Sequence, residues 1–138
     1  MKGLTIDELK IGDKAYFEKV ISENDVNLFA QITGDFNPLH VDEFKYKDKF
    51  KNRIVHGALI TGIISACIGM KLPGPGTIYL SQNSRFNLPV YIDHTVKAIV
   101  EVAEINKDEN IVKLKTICIN DEGHKVLTGE AFVMPPLN

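Results

Sequence analysis

The stretch that decides the fold is Ile54–Met70, IVHGALITGIISACIGM, in which His56 is the one strongly polar residue. Its seventeen residues lie at the short limit for a membrane-spanning helix. Three glycines interrupt the stretch, however, and no second apolar span accompanies it. A helix that is apolar on every side is also typical of the centre of a globular core. We therefore predict a buried helix over about residues 56–71, ended by the turn-forming segment Leu72–Gly76.

The sequence that follows this helix is rich in β-forming residues and alternates between apolar and polar positions. It divides into three or four long runs, at residues 77–87, 94–106, 110–120 and 124–134. The turns between the later runs are short, which favours antiparallel hairpins. A sheet of this kind needs an apolar partner to cover, and the central helix supplies one. We therefore predict an α+β fold, in which a curved antiparallel sheet wraps around the long apolar helix.

The sequence before the central helix predicts a strand, a helix and a loop. Residues 13–21 contain enough β-forming residues for a short strand. Ser22 and Asp25 form a capping-box pattern, which predicts that a helix begins there, and Gly34 is placed to end it. Residues 35–53 are polar and rich in lysine, and we expect them to form an irregular loop.

Composition excludes several classes of protein. A length of 138 residues, of which 44% are hydrophobic and 25% charged, predicts one globular domain over residues 1–138. The net charge of −2 argues against a nucleic-acid partner. The cysteines, Cys67 and Cys118, are too few for a disulfide scaffold, and both are expected to be inert core thiols. Without an apolar signal segment at the N-terminus, we expect a cytoplasmic protein that is not bound to a membrane.

The loop after the first predicted helix carries the residues best suited to chemistry. Asp35 and His40 lie five residues apart, and Pro38 prevents the helix from continuing between them. The chain can then turn back, so that the carboxylate and the imidazole face one space and act as a general acid and base. Asn37 could hold a water molecule or orient the histidine. Spacing alone favours the alternative, in which Asp35 is a turn-forming residue and His40 is solvated.

Gly57 is the second feature with chemical potential. It lies in the first turn of the central helix, where backbone N–H groups have no partner within the helix and the helix dipole is positive. The missing Cβ would let a ligand approach that amide, which suits a developing oxyanion or enolate. The alternative is that Gly57 only allows the helix to pack tightly against the sheet.

Taken together, these residues resemble the MaoC-like (R)-specific enoyl-CoA hydratases, also called hydratase 2. The resemblance covers roughly residues 8–134 and is most specific in the Asp-x-Asn-Pro-x-His pattern. Its segments are Ile32–His40, Ile54–Gly57, Leu72–Leu80, Arg85–Val90 and Leu127–Ala131. It is strongest to the short, single-domain members that serve polyester synthesis. It implies a hot-dog fold, a homodimer or larger assembly with sites near the interface, and no metal or redox cofactor.

The implied reaction is the reversible syn addition of water to a short or medium trans-2-enoyl-CoA, which gives an (R)-3-hydroxyacyl-CoA. Asp35 and His40 match the catalytic pair of the family, although which is the base stays open. The supporting polar groups implied by the resemblance are Asn37, the amide of Gly57 and Ser65. A hot-dog thioesterase and a catalytically silent acyl-CoA binding module are the alternatives. Retention of both members of the pair argues against a silent module.

Other residues carry weaker indications of substrate binding. Ile68 could line an acyl tunnel along the central helix, and Arg85 could reach a CoA phosphate or form a structural ion pair. Residues 45–53 hold five basic side chains, which favours a solvated loop, with attraction of CoA phosphates as the functional alternative. His56 is expected to cap the helix or to pack at its start. The four histidines lack metal-ligand spacing, so no metal site is predicted.

Two departures from the family pattern concern the local structure. The segment Asp93–Val96 lacks the glycine that many members have before the third long strand, which puts the turn there in doubt. Tyr46 stands where the family prefers a small residue, and a bulky ring there would reshape the loop at the site entrance.

Overall fold

The computed structural model describes residues 2–42 and 47–138. Five strands form one antiparallel sheet: β1 (Lys14–Val20), β2 (Ile78–Phe86), β3 (Thr95–Asn106), β4 (Ile111–Ile119) and β5 (Lys125–Met134). Their order across the sheet is β1-β3-β4-β5-β2. The predicted runs match these strands within two residues, and β3-β4 and β4-β5 form the expected hairpins. The expected α+β, hot-dog architecture is therefore confirmed.

Helix α3 (Gly57–Met70) lies in the core, as the apolar stretch predicts. It packs mainly on β3, β1, β2 and β4, and Ile60, Ile63, Ile64 and Ile68 are almost fully buried. Each buried isoleucine of this kind contributes about 1.5–3 kcal/mol of hydrophobic stabilisation. Among the described residues, no helix is long and apolar enough to cross a membrane.

The inner face of the sheet supplies the other half of the core. Alternate residues of β3 and β4 point inward and are completely buried: Val96, Ala98, Val100, Val102, Val112, Leu114, Thr116 and Cys118. Cys67 of α3 and Cys118 are free thiols, and burial raises the pKa of Cys67 to about 11 and that of Cys118 to about 12. Both cysteines are therefore protonated core residues, as predicted.

Helix α1 (Glu23–Thr33) begins and ends as the sequence predicts. The Ser22 hydroxyl accepts the Asp25 amide at 3.1 Å, and the Asp25 carboxylate accepts the Ser22 amide at 2.9 Å. Gly34 ends the helix at φ 84°, in the left-handed region that glycine adopts without strain. The next residue, Asp35, therefore leaves the helix at a defined position.

The loop over residues 35–53 is not wholly irregular, because it contains a short helix, α2 (Pro38–Val41). Asn37 caps this helix by accepting the Leu39 amide on Oδ1 at 3.2 Å. Pro38 occupies the first turn, where its fixed φ suits a helix and its missing N–H costs no bond. Pro38 therefore starts α2, whereas Gly34 ends α1. Tyr46 lies outside the described residues.

The turn before β3 forms without the glycine of the family pattern. Asp93 takes the left-handed conformation at φ 67°, which aspartate tolerates better than most residues. Its amide donates to the Ile21 carbonyl at 2.6 Å, and the Ile21 amide donates to the His94 carbonyl at 3.1 Å. The substitution of aspartate for glycine thus keeps the turn that leads into β3.

Candidate active site

The structure brings Asp35 and His40 together and adds His56 to them. One carboxylate oxygen of Asp35 and one ring nitrogen of each histidine lie within 4.8 Å of one another. Asp35 is exposed, whereas His40 is 9% exposed and His56 only 1%. The cluster joins the end of α1, helix α2 and the start of α3. A carboxylate open to solvent therefore faces two imidazoles that are largely dry.

Asn37 orients His40 through the backbone rather than through a side-chain contact to the ring. The Asn37 amide donates to Oδ1 of Asp35 at 3.2 Å, and the Asn37 carbonyl accepts the His40 amide at 2.9 Å. Its side-chain oxygen is used in capping α2. Asn37 thereby fixes both the Asp35 carboxylate and the helix that carries His40.

The hydrogen bond of the His40 ring defines its tautomer. Nδ1 lies 2.7 Å from the carbonyl oxygen of Ile54, and because a carbonyl only accepts, Nδ1 carries a proton. In the neutral ring the lone pair is then on Nε2. Burial lowers the pKa of His40, and the charges of His56 and Arg53 act in the same direction, against the Ile54 bond and Asp35. His40 is therefore a neutral acceptor near pH 7.

His56 packs at the start of α3, as predicted, but its ring also contacts both members of the pair. Nε2 lies 3.0 Å from the backbone carbonyl oxygen of Asp35. The ring stacks on His40 with centroids 3.9 Å apart and planes at 26°, and Phe29 covers it at 4.8 Å. His56 occupies the N-cap position without a side-chain capping bond. The sequence offers one indication that His56 belongs to the site, because it is the one strongly polar residue of an apolar stretch.

Arg53 corrects the interpretation of the basic segment. The side chain is 6% exposed, so this residue belongs neither to a solvated loop nor to a phosphate-binding surface. Its Nε donates to the backbone carbonyl of His40, Nη1 to Oε1 of Glu23 at 2.8 Å and Nη2 to Oδ1 of Asn27 at 2.6 Å. Arg53 therefore ties α1 to α2 next to His40. The lysines that alternate along the preceding residues indicate a solvated segment, so the sequence gives no sign that Arg53 is buried.

A cavity of about 490 Å³ opens beside His40 and Gly57. Its other lining residues are mainly apolar: Phe50, Ile54, Val55, Ile60, Phe86, Asn87, Leu88, Pro89 and Val90. A Cβ on Gly57 would lie 2.9 Å from two ring atoms of Phe86, so this position is packed tightly against the sheet. A larger cleft of about 840 Å³ at the β3-β4 turn contains neither Asp35 nor His40. Of the pair, His40 lines the smaller, apolar cavity, which is therefore the candidate site for the chemistry.

Of the predicted site residues, His40 and Gly57 line this cavity, whereas Asp35, Asn37, Ser65, Ile68 and Arg85 do not. Ser65 is exposed on helix α3, and Ile68 is 2% exposed within the core. Arg85 is exposed on β2, opposite Thr128 of β5. The supporting role of Ser65 and the substrate-binding roles of Ile68 and Arg85 stay predictions.

Asp35, His40 and His56 are also the three-residue group that offers potential metal ligands within residues 2–42 and 47–138. One nitrogen of each histidine is already engaged with a backbone carbonyl. Metal ligands must converge on one point at about 2.0–2.1 Å, whereas the in-plane lone pairs of two stacked rings run side by side. This geometry suits proton transfer better than metal binding.

Comparisons with known proteins agree with this fold and site. The profile of the family described as "MaoC like domain" matches residues 8–122. An (R)-specific enoyl-CoA hydratase of Rhodospirillum rubrum is 44% identical over 94% of this chain and 90% of its own length. A 3-hydroxybutyryl-CoA dehydratase of Methylorubrum extorquens is 42% identical over 99% and 87%. The unliganded R-hydratase PhaJ1 from Pseudomonas aeruginosa superimposes with a TM-score of 0.93 at 42% identity, covering 99% of this chain and 88% of that one. The chain therefore belongs to the family of MaoC-like domains.

Proposed function

We propose that this protein is an (R)-specific enoyl-CoA hydratase, a hydro-lyase that adds water reversibly and syn to a trans-2-enoyl-CoA. The observation that carries the proposal is the pairing of the Asp35 carboxylate with the His40 imidazole beside the apolar cavity at Gly57. The names of relatives at 42–44% identity over nearly the whole chain support it. The product of hydration is an (R)-3-hydroxyacyl-CoA.

The amide of Gly57 is proposed to bind the thioester oxygen. Gly57 is the first residue of α3, so its N–H has no acceptor within the helix and lies at the positive end of the helix dipole. When water attacks Cβ, the electrons of the double bond move toward the carbonyl and an enolate forms. A donor already aimed at that oxygen stabilises the enolate more than the substrate.

His40 is proposed to be the base in the hydration direction. With its Nδ1 proton donated to Ile54, neutral His40 presents the Nε2 lone pair, which can only accept a proton. It removes one proton from the attacking water, the hydroxyl bonds to Cβ, and the imidazolium then returns a proton to Cα. Asp35 accepts a hydrogen bond from the O–H that stays on the attacking oxygen, and its charge stabilises the imidazolium. Because one base serves one face of the alkene, this sequence gives syn addition.

The proposal also covers the oligomeric state of the protein and its location in the cell. Residues 1–138 are proposed to form one domain that acts as a cytoplasmic homodimer or a larger homo-oligomer. Strand β2 is an edge of the sheet and exposes the apolar side chains of Ile78, Leu80 and Phe86, which supports self-association. No nucleic acid, membrane, metal or redox cofactor is part of the proposal.

The direct test is an assay of purified full-length protein with trans-2-butenoyl-CoA. Loss of the conjugated enoyl absorbance together with an (R)-3-hydroxybutyryl-CoA product supports the proposal. Longer enoyl chains and the matching acyl-carrier-protein thioester define the substrate range. Release of free CoA without hydration would instead indicate a thioesterase, and binding without turnover would indicate a silent module.

A further inference from the structure

His56 is a buried titratable residue that the mechanism above does not use. Its side chain is 1% exposed, and Nδ1 has no hydrogen-bond partner among the described residues. A buried polar atom without a partner is costly, so a residue of this kind requires an explanation. A phenylalanine or leucine would fill the same space without that cost. The ring must therefore provide something that an apolar side chain does not.

The contacts of the ring show what it provides. Nε2 donates its hydrogen to the backbone carbonyl of Asp35, since a carbonyl oxygen can only accept. The face of the ring stacks on His40 at 3.9 Å. Asp35 and His40 lie on opposite sides of Pro38, on backbone that leaves one helix and enters another. His56 joins the two through a single rigid ring.

We propose that His56 is a positioning residue, which holds the backbone of Asp35 with Nε2 and the ring of His40 with its aromatic face. The proposed mechanism gives it no contact with the water or the acyl group, and it is therefore not a catalytic residue. It fixes the distance between the carboxylate and the imidazole that share the water. This inference rests on the proposed hydratase function.

This positioning role explains why Nδ1 of His56 has no hydrogen-bond partner among the described residues. The bond to Asp35 places the proton on Nε2, so Nδ1 keeps a lone pair in the neutral ring. Charged groups near the two stacked histidines include Asp35, Arg53, which bonds the His40 carbonyl, and Glu23, which pairs with Arg53. The geometry thus favours one tautomer of His56, with a donor aimed at Asp35.

Two substitutions separate the two contacts. His56→Phe keeps an aromatic face for His40 but has no donor for Asp35, whereas His56→Gln keeps a donor but loses the stack. We expect each variant to lower kcat by about 10–100-fold, because a misplacement of about 1 Å between reacting groups has effects of this size. We expect KM to change less than about twofold, because His56 is not among the residues that line the cavity. His124→Gln, whose side chain is 61% exposed, is the matched control and should retain full kcat.

The split between kcat and KM distinguishes positioning from general structural support. If His56 only supported the fold, its loss would displace the adjacent Gly57 and raise KM together with a fall in melting temperature. Such a result would overturn the proposal, as would a kcat within twofold of the wild type in both variants. Circular dichroism and thermal melting of each variant identify misfolding.

A measurement on the wild-type protein keeps the proposal testable even if both variants misfold. Nitrogen NMR of protein labelled with ¹⁵N-histidine should find that the neutral His56 ring carries its proton on Nε2 and not on Nδ1. A proton on Nδ1 would overturn the proposal. If wild-type protein proves inactive on enoyl-CoA while the expected tautomer is found, the proposed function fails but the positioning geometry stands.

Discussion

Replacement of Arg53 by methionine tests how the catalytic pair is held. Arg53 is buried and makes three side-chain hydrogen bonds, to the His40 carbonyl, Asn27 and Glu23. Methionine keeps the length of the stem but removes every donor. The carboxylate of Glu23 is 65% exposed, so the ion pair with it contributes at most about 1 kcal/mol. The bonds to the other two groups contribute about 1.5–3 kcal/mol each before the cost of burying the guanidinium is subtracted.

The expected net loss for Arg53→Met is about 2–4 kcal/mol in the free energy of unfolding, measured by urea denaturation at equal protein concentration. For a chain of this size the melting temperature should fall by about 10 °C. Because α2 loses its link to α1, kcat on butenoyl-CoA should fall as well. Lys107→Met removes an exposed ion pair with Asp7 and should change the free energy of unfolding by less than about 1 kcal/mol. A loss below 1 kcal/mol in Arg53→Met would refute the structural role given to this arginine.

Three further predictions concern the site and the sheet. Asp35→Asn and His40→Ala should each lower kcat at least ~10²-fold with unchanged circular dichroism; near-normal turnover in both would rule out the mechanism. Because burial lowers the pKa of His40 in the folded chain, the unfolded chain takes up that proton first as pH falls. The wild type should therefore lose more stability than His40→Gln as pH falls from about 7 to 5, and equal losses in the two proteins would contradict the assigned burial effect. A Cβ at Gly129 would lie 1.8 Å from the Asn83 carbonyl oxygen, so Gly129→Ala should separate β5 from β2 and lower the melting temperature; an unchanged melt would show that the strands adjust freely.

The strands and the central helix could be predicted because each is specified by its own sequence. Alternation such as Val96-Lys97-Ala98-Ile99 places one face of β3 in the core, and the continuous apolar stretch of α3 requires burial on several sides. The ends of α1 could be predicted as well, because its caps depend only on nearby residues: Ser22 with Asp25 at the start and Gly34 at the end. Local signals of this kind do not depend on the rest of the chain.

The site was only partly predictable because its contacts join residues far apart in sequence. Arg53 bonds a residue 13 positions earlier, and His56 bonds Asp35 across 21 positions, which no spacing rule indicates. Helix α2 does not follow from the sequence, because a proline after a helix indicates that this helix cannot continue as readily as it indicates the start of another. Whether Ser65 and Ile68 are exposed or buried depends on which side of α3 the sheet covers. Helical spacing alone does not define that side.

The most direct test of the proposed function is the chirality of the product formed from trans-2-butenoyl-CoA by the full-length protein. The arrangement of Asp35, His40 and the Gly57 amide predicts loss of the enoyl absorbance and accumulation of (R)-3-hydroxybutyryl-CoA. Asp35→Asn, assayed in parallel, should abolish both signals. An (S) product, or no hydration of any enoyl chain by well-folded wild-type protein, would contradict the proposed function.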